Sequence, residues 1–159
     1  MAERLEDTIE LLKTGLLVSP NHPGKRFMLG RAYLKLGRTD EATVELARAI
    51  KSDPNHADAH YFQGLAKSEQ QAWPEAAEVL ARAVVLDPAR VDGWFRLGEA
   101  ERHLGKHAEG ATAYEQTLAR EPTHFEALMG AGACFTALGR DADAADRYTR
   151  AAALQPQNP

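Results

Sequence analysis

Cysteine is almost missing from this chain. Cys134 is the only one in 159 residues, so no internal disulfide can form, and a reducing compartment suits it. Long apolar runs are missing as well. None approaches the roughly 18 residues of a membrane span, and the opening MAERLEDTIE is acidic, without the apolar core of a secretory signal. Neither charge dominates: nineteen basic residues against twenty-three acidic ones leave −4. That balance argues against nucleic acid and against a polybasic membrane anchor. These absences predict a soluble, cytoplasmic protein with no nucleic-acid partner and no membrane insertion.

Motifs that carry chemistry are equally scarce. There is no GxxxxGK[ST] phosphate loop, no GxSxG, no HExxH and no CxxC. GAGACF at 130–135 begins like a dinucleotide fingerprint, but its glycines fall inside a predicted helix. His103 and His107 have a spacing that could share a metal, yet Gly105 between them marks a helix break and removes the common face. Cys134 stands where alanines stand elsewhere and reads as a small packing residue. The expectation is no catalytic residue, no metal and no cofactor.

What the chain does have is a period. Prolines fall at 20, 54, 88, 122 and 156 and glycines at 30, 64, 98 and 132, each 34 residues after the last. Two residues past each glycine come Ala32, Ala66, Ala100 and then Cys134. Further on stand Ala42, Ala76, Gly110 and Ala144, then Leu46, Leu80, Tyr114 and Tyr148. A fixed period of this length is the signature of stacked repeats. Each repeat splits into two helical stretches. The first ends in three repeats at a glycine, Gly37, Gly105 or Gly139, suited to a left-handed cap. The second stops at the recurring proline, which lacks the amide proton a helix needs. Pro74 fits the first turn of a second helix. A mid-helix glycine costs about 1 kcal/mol relative to alanine, so four in register imply close contact. Leu46, Leu80, Tyr114 and Tyr148 are expected to insert across those glycines.

This pattern resembles the tetratricopeptide repeat family, whose 34-residue unit is a helix–turn–helix. In that frame the repeats run 23–56, 57–90, 91–124 and 125–158. Trp94, Leu97, Gly98, Tyr114 and Pro122 carry the resemblance in the third, and Leu29, Gly30, Tyr33, Ala42, Leu46, Ala49 and Pro54 in the first. Departures gather in the second, at Gln63, Lys67, Gln70 and Gln71, which makes it the softest expected. Residues 1–22 match the second half of a repeat, with Leu5, Ile9, Leu12 and Leu16 as its stripe. The resemblance implies an all-α fold, a right-handed superhelical solenoid of antiparallel helix pairs with nine helices, forming one continuous domain over 1–159. No polar cap closes the C-terminal end. A fragment of a longer protein is the favoured reading, and self-association through uncapped ends the other.

The resemblance also implies where a partner binds: on the concave face, through positions 2, 5, 9, 12 and 13 of each first helix. Candidate groove residues are Phe27, Arg31, Lys35, Tyr61, Leu65, Phe95, Glu99, Arg102 and Met129. The aromatic positions have a packing role as an equal rival. The first repeat has seven basic residues against four acidic, so an acidic or C-terminal end of a ligand is expected near Arg31 and Lys35. The two-carboxylate clamp of relatives that hold chaperone tails is not matched: Phe27, Arg31, Phe62, Asp92 and Arg96 occupy its positions, and only Arg96 fits. The implied function is a non-enzymatic scaffold that binds another protein or peptide. Rival readings are the recruiting arm of a larger glycosyltransferase- or sulfotransferase-like enzyme, a self-assembling module and a secretion chaperone.

Overall fold

The helix boundaries follow from caps and stops written into the repeat. The computed structural model describes residues 2–154. Among them are nine helices and no strand: α1 (Ala2–Val18), α2 (Pro23–Lys35), α3 (Thr39–Ser52), α4 (Ala57–Glu69), α5 (Trp73–Leu86), α6 (Val91–His103), α7 (His107–Arg120), α8 (Phe125–Ala137) and α9 (Asp141–Leu154). Pro156 lies outside the described residues. His22, His56 and His124 begin α2, α4 and α8, each ring Nδ1 accepting the backbone N–H three residues on, at 3.3, 3.2 and 3.2 Å. A side-chain acceptor here satisfies one of the orphan amides of the first turn. Arg90, at the same repeat position, begins α6 with no side-chain cap.

Each first helix ends on a left-handed residue. Gly37, Gly105 and Gly139 have φ of 70°, 72° and 69°, and the amides of Arg38, Lys106 and Arg140 return to Tyr33, Glu101 and Phe135 at 2.9 Å. The second repeat builds the same turn with Gln71 at φ 56°, its follower Ala72 bonding Lys67 at 2.9 Å. Backbone geometry is kept there at the steric cost of a Cβ in the left-handed region, about 1–2 kcal/mol. The same repeat buries Gln63 with its Oε1 lacking a hydrogen-bond partner among the described residues.

Packing groups the chain into an N-terminal unit, Met1–Asp87, and a C-terminal unit, Pro88–Pro159. In the N-terminal unit a Cβ on Gly30 would meet Leu46 Cγ at 2.6 Å, and one on Gly64 would meet Leu80 Cγ at 2.4 Å. Leu46 and Leu80 are fully buried, each contributing roughly 1.5–3 kcal/mol of apolar burial. Arg26 of α2 adds an ion pair with Glu45 of α3 at 2.5 Å, and Arg48 shares the same carboxylate at 2.8 Å. In the C-terminal unit the crossing residues are tyrosines: a Cβ on Gly98 would meet Tyr114 Cδ1 at 2.9 Å, and one on Gly132 would meet Tyr148 Cε1 at 2.6 Å. Arg147 of α9 holds Glu115 of α7 through two hydrogen bonds, 2.8 and 2.9 Å.

Candidate protein-binding face

The candidate residues all lie on first helices, and the structure divides them by burial. Phe27, Tyr61 and Phe95 are 9%, 6% and 8% exposed, whereas Met129 is 41% exposed. Phe27 is covered by the capping ring of His56, centroids 4.6 Å apart, and by Phe62 at 5.8 Å. Phe95 is covered in the same way by His124 at 4.7 Å. These phenylalanines therefore join successive helix pairs within each unit. The capping histidine serves twice, holding an amide through Nδ1 and closing the aromatic contact with its ring.

In the N-terminal unit, Arg31 spreads its guanidinium over Phe27 and Phe62, at 5.5 and 4.9 Å from the ring centroids. Such stacking supplies attraction from the ring quadrupole while leaving positive charge at the surface. Lys35 is exposed one turn further on, and the two cations border a common hollow with Leu5, Thr8, Met28 and Ala32. Tyr61 and Leu65 lie on α4, the first buried and the second half-buried. Neither lines that hollow.

In the C-terminal unit the other four candidates come together. Phe95, Glu99 and Arg102 from α6 and Met129 from α8 line one cavity of about 330 Å³ with Tyr114, Phe125, Glu126, Gly130 and Ala133. Its floor has an unusual construction. The Tyr114 ring, rooted in α7, passes between α6 and α8, so that a Cβ on Gly130 would stand 2.4 Å from Tyr114 Cζ. The Arg102 side chain lies beside the Tyr114 hydroxyl and favours its ionised form. Burial pushes this phenol up to about 12, and the interaction with Arg102 pulls in the opposite direction. Glu99 is paired with Arg96 at 2.9 Å, and Glu126 lies 3.4 Å from His124. The cavity thus offers an exposed thioether, aromatic walls and both charges, a set suited to an apolar side chain with a polar neighbour. Burial also raises the Cys134 thiol above its ordinary range, as fits a packing position rather than a nucleophile.

The 34-residue register places Tyr114 across Gly98 but does not extend it to the cavity. A signal was present. Gly130 stands where the other repeats have Met28, Phe62 and Arg96, and a glycine there leaves room for the longer ring that replaces leucine at position 114. Among the described residues no three His, Cys, Asp or Glu side chains gather as a metal site would require. No helix among them is long and apolar enough to cross a membrane.

Comparison with known proteins agrees with this architecture. No curated protein matches the chain. Among solved structures, a MamA protein superposes with a TM-score of 0.89 at 24% identity, covering 98% of this chain and 85% of that one. Another MamA structure gives 0.86 at 25% identity over 94% and 87%. YrrB, described as a TPR protein with an unusual peptide-binding site, gives 0.90 at 19% identity over 98% and 80%. The fold is therefore shared across nearly the whole chain. The tetratricopeptide repeat model itself matches residues 27–91, 64–115 and 95–159, and with helix pairs, crossing glycines and capped turns all in its 34-residue register, the chain belongs to the tetratricopeptide repeat family.

Proposed function

We propose that this protein is a non-catalytic scaffold that holds an extended segment of a partner protein against its first helices. The observation that carries this reading is the cavity of the C-terminal unit, where Phe95, Glu99, Arg102 and Met129 converge around the Tyr114 hydroxyl. Tight surroundings with one exposed apolar edge are what an anchoring side chain needs. Within the N-terminal unit, taken by itself, the basic pair Arg31 and Lys35 supports contact with an acidic stretch, acting mainly on orientation and association rate. Phe27 and Phe95 shape these surfaces from below, since burial keeps most of their area away from a ligand, whereas Tyr61 and Leu65 line neither. The described peptide-binding character of YrrB is consistent with this use of the fold.

The test starts from a peptide selected by display on the intact chain and titrated calorimetrically. Met129→Glu is expected to weaken it by about tenfold or more, roughly the 1.4 kcal/mol of one anchor contact. Arg31→Glu combined with Lys35→Glu is expected to slow association and flatten its salt dependence. Affinities unchanged in both variants would end the proposal. A second reading, self-association, draws on the exposed Leu17 and Val18 of α1 and Leu154 of α9. Light scattering across a concentration series decides it.

A further inference from the structure

Each second helix carries, on one face, positions that its preceding first helix covers. Ala42 of α3 is fully buried beneath α2, where a Cβ on Gly30 would stand 3.3 Å from the Ala42 carbonyl. Gly110 of α7 is buried beneath α6 in the same way, 3.3 Å from the Gly98 carbonyl by the same measure. The counterpart in α1, 34 residues before Ala42, is Thr8, and it is exposed. One turn on, Leu11 is 74% exposed, while Glu45 and Ala113 at the same register are 8% and 2% exposed. One cause explains both differences: no described helix lies across this face of α1. The face continues into the hollow of about 170 Å³ that α1 and α2 form between Leu5, Thr8, Met28, Arg31, Ala32 and Lys35.

We propose that this hollow is the docking seat for a single amphipathic helix of a partner protein, with carboxylates along one edge of its apolar stripe. The helical shape follows from the repeat itself, because α2 fills the corresponding place on α3 and α4, and α6 fills it on α7 and α8. The acidic edge follows from charge. Arg31 and Lys35 form the α2 wall, whereas the other repeats place Leu65, Glu99 and Ala133 at the first position and Glu69, His103 and Ala137 at the second. Cations stand at both positions only beside the open face. Among the described residues no ion pair joins Arg31 or Lys35 to Glu3, Glu6, Asp7 or Glu10 of α1; Glu6 pairs instead with Arg38 at 3.3 Å and Glu10 with Lys13 at 2.9 Å. A second copy of the chain is a poor occupant. Each first helix described here is packed on its own second helix, so a copy could fill the seat only by opening one of its own pairs.

The probe is a stapled peptide with the sequence of residues 91–106, the segment that fills the equivalent seat. In the folded chain Glu99, Arg102 and Ala133 line one cavity, so positions 99 and 102 of the probe face Arg31, the counterpart of Ala133. A fluorescein-labelled peptide carrying Arg102→Glu is expected to bind the full chain about tenfold more tightly than the unmodified peptide. Leu11→Glu and Thr8→Glu, two surface changes whose helical content is checked by circular dichroism, should each abolish that binding. Met129→Glu should leave it unchanged, which separates this seat from the cavity of the C-terminal unit. Absence of saturable binding by the acidic peptide would overturn the proposal, as would binding that survives both α1 variants. Sedimentation showing a dimer of the chain that Leu11→Glu dissolves would overturn it in favour of a second copy.

Discussion

The two units solve one packing problem with different side chains. In the N-terminal unit a leucine, Leu46 or Leu80, drops onto the glycine of the facing helix and stops there. In the C-terminal unit Tyr114 occupies the same position, fills the space over Gly98 and goes on past Gly130 to meet Arg102. The backbone register is the same in both. What differs is how far the crossing residue reaches, and hence whether a packing position also contributes a polar group to the candidate binding face. A repeat thus acquires a polar group on its candidate face by lengthening one core residue and removing the side chain opposite.

The largest effect expected from this contrast is on stability. Tyr114→Ala empties space bounded by two glycines that have no side chains to collapse into it, and removes the hydroxyl beside Arg102. A loss of about 3–5 kcal/mol is expected in urea unfolding, against a loss in the lower half of roughly 2–5 kcal/mol for Leu46→Ala. Equal losses would mean that the ring beyond Gly98 adds nothing to packing.

Alkaline pH sharpens the same comparison with a smaller signal. The Tyr114 phenol is raised to about 12 from its ordinary 10, so its contribution is intact below pH 10 and is lost as pH rises through 12. Between those values the unfolded chain ionises first, and stability should fall by about 1 kcal/mol per pH unit. Tyr114→Phe should remove that part of the slope, while Leu46→Ala should leave it in place. Tyrosinate absorbance followed alongside circular dichroism reads both. A slope indifferent to Tyr114→Phe would detach the tyrosine from the effect.

The smallest change tests a turn in the N-terminal unit against its neighbours. Gln71 is held at φ 56°, where Gly37, Gly105 and Gly139 serve elsewhere. Gln71→Gly should raise stability by about 0.5–1 kcal/mol, the left-handed strain relieved less the added freedom of the unfolded chain. Slower hydrogen exchange through α4 and α5 would accompany it. A destabilised variant would show that the glutamine side chain contributes more than its backbone costs.

Much of this molecule was legible because its packing rule repeats. Gly30, Gly64, Gly98 and Gly132 announced four close crossings, and Leu46, Leu80, Tyr114 and Tyr148 were readable as the residues that insert there. Gly37, Gly105 and Gly139 marked turns that the φ angles bear out. His22, His56 and His124 stand at one repeat position in the sequence, but their capping role depends on a ring nitrogen meeting an amide three residues away. The aromatic candidates were balanced between core and groove. Burial of Phe27 and Phe95 against capping histidines came from residues nearly thirty positions further along the chain, beyond the reach of a local pattern.

Alone, then, the sequence determined the helix pairs, their stops and the spots where backbones approach, because those demands act on single positions and recur every 34 residues. The tertiary structure decided which side chains remain at a surface: Met129 and Arg102 beside the Tyr114 hydroxyl, and the uncovered flank of α1 at Thr8 and Leu11. Exposure depends on what lies across a helix, and identical register in the chain leads to burial or to an open face according to whether a neighbouring helix is there.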